Sequence, residues 1–213
     1  MKKRILLPAA AAAAVALLIL AFALFFWHQN RPESLEYGYA REVSEDEKAL
    51  RQQLLSRAEE WLGTVEGSPE HHRLIDLYNA QQPLPVGYPV TYEDNWCAAF
   101  VTVAALLSDL EEIIPPECGC QRQIALFESR GRWQEDESYV PLPGDVIYFA
   151  QKGAVMGDCT GWANHVGIVV GTAGNYIKVI EGNSSNAVRY RYLHKNDPTI
   201  RGYGLPDYSG KCE

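Results

Sequence analysis

The sequence predicts an α+β domain in which helices come first and an antiparallel sheet follows. From Glu45 to Gly131 the patterning is that of helices separated by loops, whereas after Pro141 short segments rich in Val, Ile and Tyr alternate with turns. This order favours α+β over a parallel α/β domain, in which helices and strands would alternate. At 213 residues the chain is long enough for one such domain with an N-terminal appendage.

Residues 1–27 predict a cytoplasmic stub and a transmembrane signal-anchor. The apolar run from Ile5 to Trp27 carries no charge, and as a helix at ~1.5 Å per residue it is about 34 Å long, enough for a hydrocarbon core of ~30 Å. The basic residues 2–4 precede it, so the rest of the chain is expected outside the cytoplasm. Ala21-Phe22-Ala23 resembles a signal-peptide cleavage site. Because apolar residues continue beyond it, we favour a retained anchor over a cleaved, secreted form.

The remainder divides into a polar linker, residues 28–45, and a domain over residues 46–213. The formal net charge is −8, and three of the basic residues lie in the predicted anchor, so the body is more acidic still. An acidic body does not suit nucleic acid. It also gains nothing from electrostatic attraction to an anionic membrane surface or wall polymer.

Two helices are predicted ahead of the central one. Ser44 and Glu47 have the spacing of a capping box, and apolar residues then recur at helical spacing, so we expect a helix from about Glu45 to Leu62. A second, short helix carries the adjacent histidines His71 and His72. Because adjacent residues do not share a helix face, we interpret this pair as packing or surface residues rather than metal ligands.

The central helix begins around Cys97. Asp94 or Asn95 can cap it, which places Cys97 in the first turn. The residues that follow, to Leu107, are apolar on nearly every side, so this helix must be buried. Unpaired N–H groups and the helix dipole favour a thiolate at such a position, which predicts a reactive cysteine. The alternative is a buried structural cysteine.

The other cysteines bear on the compartment and on metal binding. The chain has five cysteines: Cys97, Cys118, Cys120, Cys159 and Cys212. In an exported protein an odd count suggests two disulfides and one free thiol. A bridge between Cys118 and Cys120 would be strained, which favours pairing each of them with Cys159 or Cys212 if Cys97 is free. The alternative is that all five remain reduced. The Cys-x-Cys spacing argues against a zinc site.

A predicted hairpin supplies a base for the cysteine. Residues 165–171 and 176–181 read as two strands around a turn, and a turn centred near Ala173 puts His165 directly opposite Glu181. Directly opposed side chains share a sheet face with Cβ atoms about 5 Å apart. Asn183 projects from the same face. A register slip of one residue would break this arrangement.

The same face carries apolar residues that need a cover. These are Gly167, Val169, Ile177 and Val179. We expect the Cys97 helix to be that cover, with Gly167 allowing a close approach.

The chemistry of such a site is nucleophilic catalysis. The Cys97 thiolate attacks an amide carbonyl, His165 takes up and returns the proton, and Glu181 or Asn183 holds the imidazole in the right tautomer. The backbone N–H of Cys97 can donate to the oxyanion, because a first-turn N–H has no acceptor within its helix.

Substrate contacts are expected near Cys97. Asn95 and Tyr92 are candidates for a second oxyanion donor. Trp96, Tyr92, Tyr88 and Trp162 can line a groove, although core packing is the alternative for each aromatic ring.

Four motifs in this order resemble the CHAP family, the cysteine, histidine-dependent amidohydrolases/peptidases. They are residues 96–101, 143–149, 164–169 and 179–183, and the resemblance extends over residues 46–213. It implies a papain-like fold, an origin in a Gram-positive bacterium, and cleavage of peptidoglycan peptides as an amidase or endopeptidase. It also implies Cys97 as nucleophile, His165 as base, and Glu181 with Asn183 as polar partners of His165.

The resemblance also bears on the neighbouring family and on metals. NlpC-type peptidases share the fold and the Cys–His chemistry, but the Glu-Gly-Asn ending at residues 181–183 is more similar to CHAP. Calcium-binding members of the family carry an acid-rich loop ahead of the cysteine, which residues 92–94 do not match. We therefore expect no metal and no cofactor.

Together these observations predict a membrane-tethered hydrolase that acts on peptidoglycan stem or cross-bridge peptides outside the cell. Wall-remodelling or secretion machinery is the expected setting. The competing hypothesis is a non-catalytic CHAP-like module that binds wall peptide or a secretion partner, and the presence of every proposed catalytic residue argues against it.

Overall fold

The computed structural model describes residues 17–24, 31–150 and 162–212. The chain forms two compact units, Met1–Glu36 and Tyr37–Glu213. In the first unit residues 17–24 are helical (α1), and Pro32–Ser34 form a short 3₁₀ turn. Within the described ranges no helix has both the length and the apolar character needed to cross a membrane. The rest of the predicted anchor, residues 1–16 and 25–27, lies outside the described residues.

The second unit has the predicted order, with its longer helices ahead of the sheet. Its helices are α2 (Glu45–Glu59), α3 (Pro69–Asn79), α4 (Cys97–Leu106), α5 (Cys120–Ser129) and α6 (Tyr208–Lys211). The predicted cap of α2 is confirmed, because Ser44 Oγ accepts the Glu47 N–H at 3.2 Å. This helix ends at Glu59, short of Leu62, in a turn where Gly63 takes a φ of +84°.

Within the described residues the sheet is antiparallel throughout and has six strands in the order β1-β6-β2-β3-β4-β5. The strands are β1 (Trp133–Gln134), β2 (Val146–Phe149), β3 (His165–Ala173), β4 (Tyr176–Glu181), β5 (Arg189–His194) and β6 (Ile200–Gly204). The α+β prediction is confirmed. The site described below lies where β3 begins and β4 ends.

The β3–β4 hairpin has a different register from the predicted one. Its turn pairs Ala173 with Tyr176, and a bulge between Val169 and Gly171 then shifts the register, so that Val169 pairs with Val179. Continuing this register places Gly167, not His165, opposite Glu181. The predicted direct pairing of His165 with Glu181 was therefore wrong by two residues. Two residues is one full period of a strand, so the two side chains still share a face.

The cover of that face was also predicted wrongly. Helix α4 packs with Val166, Ile168 and Ile180, which alternate with the predicted residues and lie on the other face of the sheet. The predicted residues Val169, Ile177 and Val179 form a second apolar cluster with Ile147, Phe149, Leu193 and Tyr203. Gly167 does not face α4 either, because a Cβ there would meet Val179 and Glu181.

The residue that allows the close approach of α4 is Gly182, which directly follows β4. A Cβ at this position would lie 2.4 Å from the Cβ of Phe100 and 3.0 Å from the Trp96 ring. We expect Gly182→Ala to lower the free energy of unfolding by about 1–3 kcal/mol, because the helix must shift. Urea unfolding monitored by circular dichroism measures the loss.

Gly38→Ala is the matched control, because nothing lies within 4 Å of a Cβ at Gly38. We expect its effect to stay within about 0.5 kcal/mol. Equal stabilities for the two variants would contradict the close approach of α4 to Gly182.

The motif over residues 143–149 begins with a buried ion pair that fixes the turn into β2. Asp145 is buried and accepts hydrogen bonds from the Leu142 N–H at 2.8 Å and the Tyr139 hydroxyl at 2.6 Å. Arg51 of α2 donates to Asp145 at 3.0 Å and to the Pro143 carbonyl at 2.7 Å. The pair ties the first helix of the domain to the sheet, so this motif serves the fold.

Candidate active site

Cys97 is the first residue of α4, as predicted, but the predicted cap is wrong. The residue at the N-cap position is Trp96, whose side chain makes no capping hydrogen bond. Asp94 instead accepts from the Thr91 N–H at 2.8 Å, and Asn95 accepts from Asn183 at 3.2 Å. Cys97 is buried except for the part that reaches a cleft, and the backbone N–H of Ala98 is among the groups that lower the pKa of its thiol.

His165 and Glu181 form the polar pair beside this cysteine. Glu181 Oε2 lies 3.3 Å from His165 Nε2, and both side chains are largely buried. The two residues are a diagonal pair across the β3–β4 ladder, and Gly167 has no side chain to stand between them. Phe149 packs against the imidazole with ring centroids 5.9 Å apart. Because Glu181 occupies Nε2, Nδ1 is the ring nitrogen that can exchange a proton with Cys97.

Arg191 on β5 extends the pair, and the sequence analysis did not single it out. Its guanidinium donates to Glu181 Oε1 at 3.4 Å and lies 4.4 Å from the centroid of the Phe149 ring. Arg191 pairs with Val179 in the β4–β5 ladder, so it projects from the same face as Glu181. The sequence predicts strands in this part of the chain, but it does not give the register of β5 against β4, which brings Arg191 to Glu181.

The protonation states of the cysteine and histidine are coupled. The Cys120 thiol, then hydrogen bonding and charge from His165, hold the pKa of Cys97 well below its usual range despite burial. Burial disfavours a charged imidazole, but Cys97 and Glu181 outweigh it and raise the pKa of His165 to about 9. Burial likewise opposes ionisation of Glu181, yet His165 and Arg191 lower the pKa of that carboxyl. The site therefore favours a thiolate–imidazolium pair at neutral pH.

Cys120 is a second residue that the sequence analysis did not place at the site. Its sulfur lies 3.7 Å from the sulfur of Cys97, and it is the first residue of α5. Contact with Cys97, reinforced by burial, raises the pKa of the Cys120 thiol well above its usual range. Cys118, Cys120 and Cys212 are free thiols, so the expected bridge between Cys212 and one of the other two is not formed; Cys159 lies outside the described residues.

The site opens to solvent through a cleft of about 410 Å³. Its lining is predominantly polar and consists of Asn95, Cys97, Asn164, His165, Glu181, Asn183, Ser184, Ser185 and Arg191. The structure thus brings together all four predicted catalytic residues. Asn183 contributes differently from Glu181, because its side chain donates to Asn95 and Glu181 is the residue within reach of the imidazole.

The residues predicted to contact substrate occupy different places. Asn95 lines the cleft. The Trp96 side chain is fully buried, where its Nε1 donates to Glu66 at 3.2 Å, so it supports the start of α4 from inside. The Tyr92 hydroxyl donates to Asp76, and the Trp162 side chain, just before β3, is 74% exposed.

Histidines outside the cleft have structural contacts. His71 is buried and its Nδ1 accepts the Gly67 N–H at 3.1 Å, while His72 stacks on Tyr92. Within the described ranges no group of three or more His, Cys, Asp or Glu side chains is arranged to hold a metal ion.

Residues 87–183 match the model of the CHAP domain family. The match supports a CHAP domain in this chain. CHAP domains are usually hydrolases that act on peptidoglycan. The matched segment holds Cys97, His165, Glu181 and Asn183, but it stops short of Arg191. The Gram-positive origin implied by the resemblance receives no support from this match. Comparison with curated proteins and with solved structures gave no match.

The depressed pKa of Cys97 predicts its reactivity with alkylating reagents. We expect the rate of Cys97 alkylation by iodoacetamide to reach half its maximum well below the ordinary thiol pKa of about 8.5, since only the thiolate reacts. The exposed Cys212, whose pKa lies above the usual value, is an internal reference whose rate rises only at higher pH. Peptide mapping by mass spectrometry separates the two rates. Coincident profiles for the two thiols would contradict an activated Cys97.

Proposed function

We propose that this protein hydrolyses amide bonds in the stem or cross-bridge peptides of peptidoglycan through a covalent acyl-enzyme. One observation carries the proposal: Cys97 and the His165–Glu181 pair line the same polar cleft, inside the segment that matches the CHAP domain. A thiolate next to a carboxylate-held imidazole is the arrangement that nucleophilic amide hydrolysis requires.

The proposed reaction begins with attack of the Cys97 thiolate on the scissile carbonyl. His165, held through Nε2 by Glu181, gives its Nδ1 proton to the leaving amine, and the acyl group remains on the cysteine sulfur. The neutral imidazole then takes a proton from water, which attacks the thioester. Loss of the carboxylic acid product returns the thiolate–imidazolium pair.

The oxyanion formed at each step needs donors that do not have to reorganise. The Cys97 N–H is one, because the first turn of a helix leaves it without an intrahelical acceptor. For the second donor the contacts favour Asn95 over Tyr92. Asn95 lines the cleft and uses its carbonyl oxygen to accept from Asn183, which leaves its amide N–H groups for substrate. The Tyr92 hydroxyl already donates to Asp76.

The charge states predict a pH limit on this reaction. The imidazolium is the proton donor to the leaving amine, and it is lost as pH rises through the raised His165 pKa of about 9. We expect kcat/KM for a soluble wall peptide to be constant between the depressed pKa of Cys97 and about pH 9, and to fall at higher pH. The pH at which kcat/KM falls on the alkaline side is called the alkaline limb. An alkaline limb near the ordinary histidine pKa of about 6.5 would contradict the thiolate–imidazolium pair.

The decisive experiment compares the purified full chain with its Cys97→Ser variant on peptidoglycan sacculi of several chemotypes. Mass spectrometry of the released fragments identifies the bond that is cut, and distinguishes an amidase from an endopeptidase. We expect fragments from the wild type and from a Cys212→Ser control, and none from Cys97→Ser. If neither wild type nor variant releases fragments from any chemotype, the non-catalytic binding module replaces the hydrolase.

The location is a further part of the proposal. We propose that the apolar run of residues 5–27 retains the protein at the membrane with the domain outside the cytoplasm, close to wall-remodelling or secretion machinery. The exposed Cys212 offers a test, since a membrane-impermeant maleimide should label it in intact cells that produce the full chain. Labelling only after lysis would place the domain in the cytoplasm.

A further inference from the structure

The nucleophile has a second thiol in contact with it. Cys97 and Cys120 each form the first residue of a helix, α4 and α5, and their sulfurs lie 3.7 Å apart. Two helix N-termini therefore converge on one pair of sulfurs, and each favours negative charge there. No step of the hydrolysis proposed above uses Cys120.

Helix α5 is fixed in place beside the site. The Gln121 side chain accepts the Ala163 N–H at 3.2 Å, which ties α5 to the residues just before β3. Gln123 accepts from the Tyr148 hydroxyl at 2.9 Å and donates to the Pro115 carbonyl at 2.8 Å. These contacts hold Cys120 next to Cys97. A disulfide requires the two sulfurs to close from 3.7 Å to about 2.0 Å.

The two thiols differ in whether they face the cleft. Both residues are largely buried, with Cys97 5% and Cys120 8% exposed, but Cys97 lines the cleft and Cys120 does not. A small oxidant in the cleft therefore meets Cys97 first. Cys118 is not an equivalent partner, because its sulfur lies 3.3 Å from the Arg122 guanidinium and it lines a different cleft.

We propose that Cys120 is a resolving thiol, and that oxidation by a low-molecular-weight disulfide joins it to Cys97 and switches the enzyme off. The thiolate of Cys97 attacks one sulfur of the small disulfide, which forms a mixed disulfide and expels one thiolate. Cys120 then attacks the Cys97 sulfur, and its proton leaves with the second small thiol. The two protein sulfurs lose two electrons and one proton, and the small disulfide is reduced to one thiolate and one thiol.

The consequence is a reversible loss of the nucleophile. In the bridged form Cys97 has no thiolate, and His165 loses the anion that stabilises its charge. A thiol reductant restores both. This switch rests on the proposed function of Cys97, but the bridge itself can be detected without any wall substrate.

The test incubates the full chain with oxidised glutathione and follows two readouts, non-reducing peptide mapping by mass spectrometry and hydrolysis of peptidoglycan. We expect a Cys97–Cys120 linked peptide in the wild type, with activity lost in proportion to the linked fraction and recovered with dithiothreitol. In Cys120→Ser the reaction should stop at the glutathione adduct of Cys97. The Cys118→Ser control should form the bridge as the wild type does.

Three outcomes would overturn the proposal: a wild-type adduct that persists on Cys97 without resolving, a bridge from Cys120 to Cys159, or a linked protein that keeps full activity. Because Cys120→Ser can fail to fold, the glutathione adduct of Cys97 and the Cys97–Cys120 bridge are also followed over time in the wild type. An adduct that decays as the bridge forms supports Cys120 as the resolving thiol. A bridge without hydrolytic activity in the reduced protein would reject the hydrolase, whereas hydrolysis that survives oxidation would reject only the switch.

Discussion

Replacing His165 with Ala is expected to lower kcat/KM for peptidoglycan hydrolysis by about 10⁴-fold, the scale of a general acid–base group that acts with a nucleophile. The variant loses the proton donor for the leaving amine. It also loses the hydrogen bond and the positive charge that, after the larger effect of the Cys120 thiol, lower the pKa of Cys97. Initial rates of fragment release from purified peptidoglycan measure the change.

The pH dependence of Cys97 alkylation gives a second measurement on the same variant. It would not change if His165 had only a structural role. The pH at which Cys97 reaches half its maximal alkylation rate should rise, since imidazolium no longer stabilises the thiolate. His194→Ala is the matched control, because His194 lies at the end of β5 and is absent from the cleft lining. A His165→Ala enzyme within about tenfold of the wild type would remove His165 from the chemistry.

Local sequence patterns predicted the position of the nucleophile well. An apolar run long enough for a buried helix, with a polar lead-in, is sufficient to place Cys97 in the first turn of α4, and the structure agrees. The cap could not be predicted in the same way. Asp94 and Asn95 are both good capping residues, but a local hydrogen bond with Thr91 occupies the first side chain and a tertiary contact with Asn183 occupies the second.

The hairpin shows why the right pair can follow from a wrong register. The turn alone sets a register that would place His165 and Glu181 on opposite faces, and the bulge between Val169 and Gly171 restores the parity. A bulge leaves no simple signature in the sequence. The prediction misplaced the turn by an odd number of register positions and missed the bulge, which shifts the register by one more. The two errors cancel in parity, so the predicted face of these two side chains was correct.

Contacts between residues that are far apart in the sequence could not be predicted from local sequence patterns. Cys120 meets Cys97 only because the first residue of α5 lies beside the first residue of α4, and Arg191 meets Glu181 only through the β4–β5 register. Neither contact follows from spacing along the chain. The helix-facing side of the sheet was likewise missed, because alternation defines two faces but does not say which one a helix covers.

Glu181 is the position at which orientation and charge can be separated. Glu181→Ala removes the acceptor that fixes the His165 ring, and we expect kcat to fall about 10³-fold. Glu181→Gln keeps an acceptor of the same size but removes the charge. It should therefore lose less activity and move the alkaline limb of the pH profile from about 9 toward the ordinary histidine pKa of about 6.5.

Asn183 provides the comparison that decides between the two partners implied for His165. Its side chain donates to Asn95, so Asn183→Ala should weaken substrate binding or oxyanion stabilisation and leave the alkaline limb where it is in the wild type. Profiles of kcat and kcat/KM against pH for the three variants, alongside their thermal unfolding, separate these effects. If Asn183→Ala moved the limb and Glu181→Gln did not, the imidazole would be oriented by the amide, and Glu181 would only balance the charge of Arg191.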